Sequence, residues 1–210
     1  MRRTIPFFLA MLLLLSGCGR GDRDAEWLLS ARTRALSAAC VMEASVTADY
    51  GDRVYEFTLC LEEEAPGEGI VAVLTPETLA GVTMSYTAEG SALRYDDLTL
   101  DTGELAGTGL SPMEALPALL RSWRSGAVTS TGREKIGETE TVLVRCDASE
   151  DAEETVEHLL WLEEESGRPV QMEIVANGYA AFRCTVDSFE LIEKEGTEDG
   201  TGDNADVGGS

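Results

Sequence analysis

The chain of 210 residues contains a single histidine, His158, and this scarcity narrows the chemistry that it can perform. Zinc sites are built mainly from histidine and cysteine, and the chain has no CxxC pair to begin one. A Ser-His-Asp triad would have to use His158, but no sequence feature places a serine beside it and no G-x-S-x-G motif is present. We therefore predict that the protein is not an enzyme, that it has no cofactor or metal, and that His158 is a solvated or strand-edge residue.

Basic residues are also few. Lysine and arginine together number 16 against 39 aspartates and glutamates, which gives a net charge of −23. This charge repels phosphate backbones, so nucleic acid is excluded as a partner.

Two acidic clusters raise the alternative of a calcium site. One cluster comprises Asp96, Asp97, Asp101 and Glu104, and the other comprises Asp199, Asp203 and Asp206. An EF-hand loop needs glycine at position 6 and glutamate at position 12. Counted from Asp199, those positions hold Asn204 and Ser210, so we expect solvated acidic loops.

The chain has no apolar run long enough to cross a bilayer, which takes roughly 20 residues. Its one apolar stretch covers residues 5–15 and follows Arg2 and Arg3, a pattern typical of a secretory signal. Leu15-Ser16-Gly17-Cys18 then resembles the lipobox of bacterial lipoproteins. The alternative is an ordinary signal peptide with an incidental cysteine.

The lipobox resemblance implies that residues 1–17 are a signal peptide and that Cys18 carries a diacylglyceryl group. One acyl chain holds a protein only marginally, whereas two hold it stably. We therefore predict a protein anchored on the extracytoplasmic face of a bacterial cell membrane.

Four cysteines remain, namely Cys40, Cys60, Cys146 and Cys184. Alternation over residues 40–47 and 54–61 predicts two paired strands, with Val46 opposite Tyr55. Cys40 and Cys60 would then point to opposite faces of the sheet, which forbids a disulfide between them. Two predicted strands separate Cys146 from Cys184, so free buried thiols are favoured there over a disulfide.

The remaining pattern predicts an α+β fold. Residues 25–39 repeat apolar side chains every four positions, and residues 111–123 begin with Ser111, Pro112 and Glu114, the signature of a capped helix. Short strands with turns between them are predicted before and after the second helix. Residues 62–69 are predicted to form a loop. We expect a strongly curved antiparallel sheet with both helices on its concave side. The predicted organisation is a tether over 18–24, a domain over 25–193 and a disordered acidic tail over 194–210.

The segment WLEEESGRPVQMEI at residues 161–174 resembles a strand-turn-strand of the bacterial lipoprotein-carrier superfamily. The matching positions are Trp161, Ser166, Gly167, Pro169 and Glu173. The helix-then-strand opening at residues 25–46 agrees with it. This resemblance implies an open half β-barrel with an apolar cavity that binds acyl chains or apolar peptides.

Apolar side chains at the predicted helix and strand faces are candidates to line such a cavity. They are Trp27, Leu119, Leu120, Trp123, Trp161 and Met172. The first hypothesis is therefore a membrane-anchored protein that binds a lipid or an acylated peptide. The second is an envelope interaction or sensor lipoprotein with a filled core and a protein partner.

Overall fold

The computed structural model describes residues 20–95, 98–99, 108, 110–149 and 154–192. Within these ranges lie two helices, α1 (Arg20–Ser37) and α2 (Pro112–Ser125), and a 3-10 turn at Glu77–Leu79. The strands before α2 are β1 (Ala39–Asp49), β2 (Val54–Ala65), β3 (Glu68–Thr75), β4 (Thr83–Thr87), β5 (Gly90–Tyr95) and β6 (Leu98–Thr99). The strands after α2 are β7 (Ala127–Ile136), β8 (Thr139–Asp147), β9 (Val156–Glu163), β10 (Pro169–Ala176) and β11 (Tyr179–Ile192).

All strands of the described ranges join one antiparallel sheet of 11 strands in the order β6-β5-β4-β3-β2-β1-β11-β10-β9-β8-β7. The sheet is curved and does not close, so the predicted α+β half-barrel with one helix before the strands and one in mid-chain is confirmed. The first strand, β1, is central and pairs with the last, β11. No helix of the described residues is long and apolar enough to span a membrane.

The pairing of β1 with β2 differs from the predicted register by two residues. Val46 lies opposite Phe57 rather than Tyr55, because the turn between the strands is longer than expected. Asp49 accepts a hydrogen bond from the Gly51 amide at 2.7 Å inside this turn. A shift of two positions preserves the side-chain alternation, so Cys40 is buried while Cys60 lies on the opposite, outer face. Both are free thiols, as predicted, and so are the buried Cys146 and Cys184.

Helix α1 begins at Arg20, before the predicted start at Ala25, so the tether predicted over 18–24 is helical from residue 20 onward. Helix α2 begins as its sequence predicts. The Ser111 side chain accepts a hydrogen bond from the Glu114 amide, and the Glu114 carboxylate accepts one from the Ser111 amide. Pro112 occupies the first turn, where a missing N–H costs nothing.

Two stretches form strands where the sequence predicts none. Residues 62–69 are not a loop, because β2 continues to Ala65 and β3 starts at Glu68, which leaves only Pro66 and Gly67 between them. Gly67 has a φ of 87°, which glycine adopts without strain. Strand β7 was not predicted from the sequence, because its exposed polar residues lack an apolar face.

The concave face of the sheet and the two helices enclose one main core. Alternate residues of the strands supply one wall, as in β1 with Cys40, Met42, Ala44, Val46 and Ala48. Helix α2 supplies the opposite wall with Met113, Leu116, Leu119, Leu120 and Trp123. The lipobox cysteine Cys18, the signal segment 1–17, both acidic clusters and the tail 194–210 lie outside the described residues.

Candidate site between the helices and the sheet

A charged pair is buried between α2 and the sheet. Arg124 and Glu63 are only 6% and 5% exposed. The Arg124 guanidinium donates two hydrogen bonds to the Glu63 carboxylate, with 2.7 Å between Nη1 and Oε1. Each residue lies on the buried apolar face of its own strand or helix. In β2, Glu63 follows Leu59 and Leu61 at every second position. In α2, Arg124 lies four positions after Leu120.

The remaining hydrogen-bonding groups of this pair are also satisfied. Arg124 donates to the carbonyls of Ala35 at 2.9 Å and Ala38 at 3.1 Å, which lie at the end of α1 and just beyond it. Glu63 accepts from the Tyr86 hydroxyl at 3.2 Å and from the Gly67 amide at 3.1 Å. The pair therefore connects both helices with strands β2 and β4.

The charged state of the pair follows from this geometry. Burial acts to raise the pKa of Glu63, but the hydrogen bonds and positive charge of Arg124 outweigh it and hold that pKa below its ordinary value. Burial likewise acts to lower the pKa of Arg124, and Glu63 more than offsets it. The neighbouring Cys40 thiol and Tyr86 hydroxyl have raised pKa values because both are buried and face the Glu63 carboxylate.

His158 is buried rather than solvated, which corrects the prediction. It is 5% exposed, and its Nδ1 lies 2.7 Å from the Oγ of Ser122 on α2. Burial, together with the positive charge of Arg121, lowers the pKa of His158 to about 4, so the ring is neutral near pH 7. Its position in β9, two residues before Leu160 and four before Leu162, puts all three side chains on the buried face.

This Ser-His contact has the residue types of a nucleophile and a base, but both side chains are buried. The Cys146 thiol, opposite His158 in the strand pairing, lies 3.8 Å from the Ser122 carbonyl. Arg32 of α1 donates to that same carbonyl at 3.0 Å and to that of Trp123 at 3.1 Å. Arg32, Ser122, Cys146 and His158 thus form one polar cluster, which joins α1 to the last turns of α2.

The β9–β10 turn, which carries the superfamily-like motif, holds helix α1 and Trp123. Trp27 donates from its indole to the Glu164 carbonyl at 2.7 Å, and Arg34 donates to the Ser166 carbonyl at 3.0 Å. Trp123 donates to the Gly167 carbonyl at 3.2 Å. Gly167 has a φ of 74°, and a Cβ placed there would lie 2.8 Å from the Ala31 Cβ, so only glycine fits this approach.

An open groove of about 280 Å³ lies between the outer side of α2 and the β4–β5 hairpin. Its apolar lining comes from Met84, Tyr86, Leu110, Pro117 and Ala118. Glu89, Ser91, Glu114 and Arg121 add polar groups around it. Met84 and Tyr86 also belong to the main core, so the groove reaches the concave face of the sheet.

None of the six residues predicted to line a cavity borders this groove. Leu119, Leu120, Trp123 and Met172 are fully buried in the main core between the helices and the sheet, and Trp27 is half-buried against it. Trp161 lies on the opposite face of the sheet, where it packs with Leu143 and Leu159 and donates a hydrogen bond to Glu134. The prediction that Trp161 lines the concave space is therefore wrong.

Sequence reasoning did not find the Glu63–Arg124 pair or the contact between Ser122 and His158. The sequence does carry one signal for the pair, a charged residue at a position where the spacing predicts a buried apolar one. Glu63 lies two positions after Leu61 in a strand, and Arg124 lies four positions after Leu120 in a helix. Among the residues described, no three histidine, cysteine, aspartate or glutamate side chains are grouped so as to hold a metal ion.

The sequence matches no protein-family model and no curated protein. Solved structures with a similar architecture include a putative outer membrane lipoprotein-sorting protein domain from Vibrio parahaemolyticus, with a TM-score of 0.44 and 10% identity over 83% of this chain and 93% of that one. LprF from Mycobacterium bovis has a TM-score of 0.44 and 14% identity over 81% of this chain and 95% of its own. A LolA superfamily protein from Nitrosomonas europaea has a TM-score of 0.39 and 10% identity over 80% and 94% of the two chains.

Proposed function

We propose that the protein is an extracytoplasmic lipoprotein, anchored to the membrane through Cys18, that binds a lipid or an acylated peptide between α2 and the concave face of the sheet. The observation that carries the proposal is the groove beside α2. About half of its lining residues are apolar, and two of these, Met84 and Tyr86, also belong to the main core.

The size of the groove suits a segment of an acyl chain. Its volume of about 280 Å³ is close to the lower bound of small-molecule sites, which span roughly 300–1,000 Å³. The predicted lining residues Leu119, Leu120 and Trp123 lie behind the groove in the main core, where they are fully buried. Met172 and Trp27 belong to the same core.

Binding is tested with cis-parinaric acid, a fatty acid whose fluorescence rises in an apolar site. Ala118 is half-buried and lines the groove, so Ala118→Trp fills the groove without replacing a core residue. We expect Ala118→Trp to weaken binding by about tenfold or more. Ser125→Trp, an exposed position at the end of the same helix, is the matched control and should bind like the unchanged protein.

The anchor is tested separately. The membrane-extracted protein should show a diacylglyceryl group on Cys18 by mass spectrometry, and Cys18→Ser should move the protein out of the membrane fraction. Cys60→Ser should leave it there. An unmodified Cys18 would contradict the anchoring part of the proposal, whereas unchanged probe binding by Ala118→Trp would contradict the ligand site.

A second candidate function, an interaction or sensor protein of the envelope, is favoured by apolar side chains at one end of the sheet. Val54 and Tyr179 are 57% and 52% exposed at the β1–β2 and β10–β11 turns, and Tyr55 stacks edge-on against Tyr50 beside them. A photo-crosslinking residue at position 55 should then capture one protein in stoichiometric amount. No crosslinked partner, combined with parinaric acid binding, would favour the ligand-binding function.

A further inference from the structure

Helix α1 has two apolar sides, and only one of them is used by the fold. Leu28, Ala31 and Ala35 face the core. About 100° further round the helix, Leu29 and Leu36 are 69% and 54% exposed, and Leu29 is the most exposed large hydrophobic residue of the described chain. Seven positions separate them, about two helical turns, so they share one face with the exposed Thr33 between them. We call Leu29, Thr33 and Leu36 the outer α1 face.

The outer α1 face has a fixed direction relative to the domain. The helix is held by the hydrogen bonds of Trp27, Arg32 and Arg34 to the β9–β10 turn and α2. Near its start, Asp24 pairs with Arg133 of β7 at 2.8 Å. Because α1 cannot turn without breaking these contacts, whatever covers Leu29 and Leu36 also sets the orientation of the whole sheet.

The place of the outer α1 face in the sequence indicates what covers it. Helix α1 begins at Arg20, two residues after Cys18, and two extended residues span about 7 Å. Leu29 lies nine residues into the helix, about 14 Å from its start. A lipid on Cys18 therefore keeps Leu29 within about 20 Å of the lipid attachment, and Leu36, sixteen residues into the helix, within about 31 Å of it.

Helix α1 is less acidic than the rest of the chain, with four arginines against three acidic residues in a chain of net charge −23. Arg32 and Arg34 are engaged with α2 and the β9–β10 turn, so the two leucines themselves would make the contact with a membrane.

We propose that the outer α1 face lies on the lipid bilayer, with Leu29 and Leu36 inserted at the level of the headgroups. This inference rests on the proposed anchor at Cys18 and adds a second contact to it. The open groove beside α2 is then presented in one constant orientation to the membrane.

The test uses the full-length lipidated protein in phosphatidylcholine vesicles. The protein carries Cys60→Ser, because Cys60 is the one cysteine of the described residues that is not buried and would otherwise take up the label. Nitroxide labels are placed at Leu29→Cys and Leu36→Cys, and at Val54→Cys as the matched exposed control. We expect collision with oxygen to rise several-fold, and collision with a water-soluble nickel chelate to fall several-fold, at positions 29 and 36 relative to position 54.

Equal nickel accessibility at all three positions would overturn the inference. Protection of positions 29 and 36 from both oxygen and nickel would also overturn it, because a second copy or another protein would then cover the face. Mass spectrometry of the same sample separates the two proposals. An unmodified Cys18 would overturn both, whereas a lipidated Cys18 with water-exposed labels would overturn only the membrane contact of α1.

A second variant removes the apolar side chains without touching the core. Leu29→Glu with Leu36→Glu changes only exposed positions, so the fold should be retained. A label at Thr33→Cys should then lose its oxygen preference while the protein stays in the membrane fraction. An unchanged preference at position 33 would show that the leucines do not make the contact.

Discussion

Arg124 and Glu63 form an ion pair that neither helix nor sheet could bury alone. The pair lies where the end of α2 meets β2, and Arg124 also donates to the two carbonyls of Ala35 and Ala38. A buried charge that loses its partner is costly, whereas an apolar pair of similar volume is often tolerated. The stability of the domain should therefore depend on keeping both partners or neither.

Replacing one member of the pair gives the first prediction. Arg124→Leu leaves Glu63 buried without its counter-charge, and the free energy of unfolding should fall by about 3–5 kcal/mol. Arg121→Leu, an exposed position on the same helix, should change it by less than about 0.5 kcal/mol. Urea denaturation at pH 7 measures both.

The double variant Glu63→Leu/Arg124→Leu sharpens this prediction. It should be more stable than Arg124→Leu alone, but it should not fully recover, because the Gly67 amide and the Ala35 carbonyl lose their partners. A double variant less stable than Arg124→Leu alone would contradict the proposed role of the unpaired charge.

His158 should make the protein less stable in acid. Its pKa is about 4 in the folded chain against an ordinary value of 6.5, so the unfolded chain binds more protons between these values. The stabilisation is present above pH 6.5 and is lost as the pH falls toward 4, by up to about 3 kcal/mol. The lowered pKa of Glu63 adds a loss of the same sign at lower pH.

The measurement is the urea midpoint at pH 7.0 and pH 4.8 for the unchanged protein and for His158→Gln. The variant should be less stable at pH 7 but should lose less stability between the two pH values. An equal loss in both proteins would show that His158 does not titrate between them.

Alanine substitutions at Gly167 and Gly178 distinguish the cost of backbone strain from the cost of a steric clash. Both glycines have positive φ, 74° and 80°, but a Cβ at Gly167 would meet Ala31, whereas one at Gly178 would meet nothing within 4 Å. Gly178→Ala should cost about 1–2 kcal/mol from strain alone. Gly167→Ala should cost clearly more and should loosen α1, which hydrogen exchange of the α1 amides would detect. Equal costs would contradict the tight contact with Ala31.

Thiol reactivity distinguishes the five cysteines. Cys40, Cys146 and Cys184 are buried, and burial raises the pKa of Cys184 to about 12. Cys60 is half-buried, and its pKa is raised by burial and by Glu62 and Glu43, so it should react with maleimide slowly. The lipidated native protein should therefore show one reactive thiol by mass spectrometry, and Cys60→Ser none. Labelling of Cys40 or Cys184 without denaturant would contradict the burial described here.

Local signals predicted much of the fold. The cap of α2 was predictable because Ser111, Pro112 and Glu114 satisfy free amides through contacts only three residues apart. The β10–β11 turn was predictable because Asn177 and Gly178, with φ of 51° and 80°, suit the turn that a right-twisted hairpin favours.

The site was less predictable because its contacts join distant parts of the chain. The acidic run at residues 62–64 followed by Pro66 and Gly67 was interpreted as a loop, although the alternation of Leu59 and Leu61 places Glu63 inward. Nothing local indicates that Arg124, 61 residues away, neutralises it. The predictions for Trp161 and His158 are wrong for one reason, because residues 158–162 are buried on both faces of the sheet and their sequence has no alternation that would identify the inward face.

The pairing of β1 with β11 has a consequence for how the molecule is made. Among the strands of the described residues, β1 is synthesised first and β11 last, and together they form the middle of the sheet. The two halves of the sheet can begin as local hairpins, but they cannot join before β11 is synthesised, because its residues from Phe182 to Ile192 pair with β1. The centre of the sheet is therefore completed late, and a truncation that removes β11 should leave two unjoined halves rather than a smaller half-barrel.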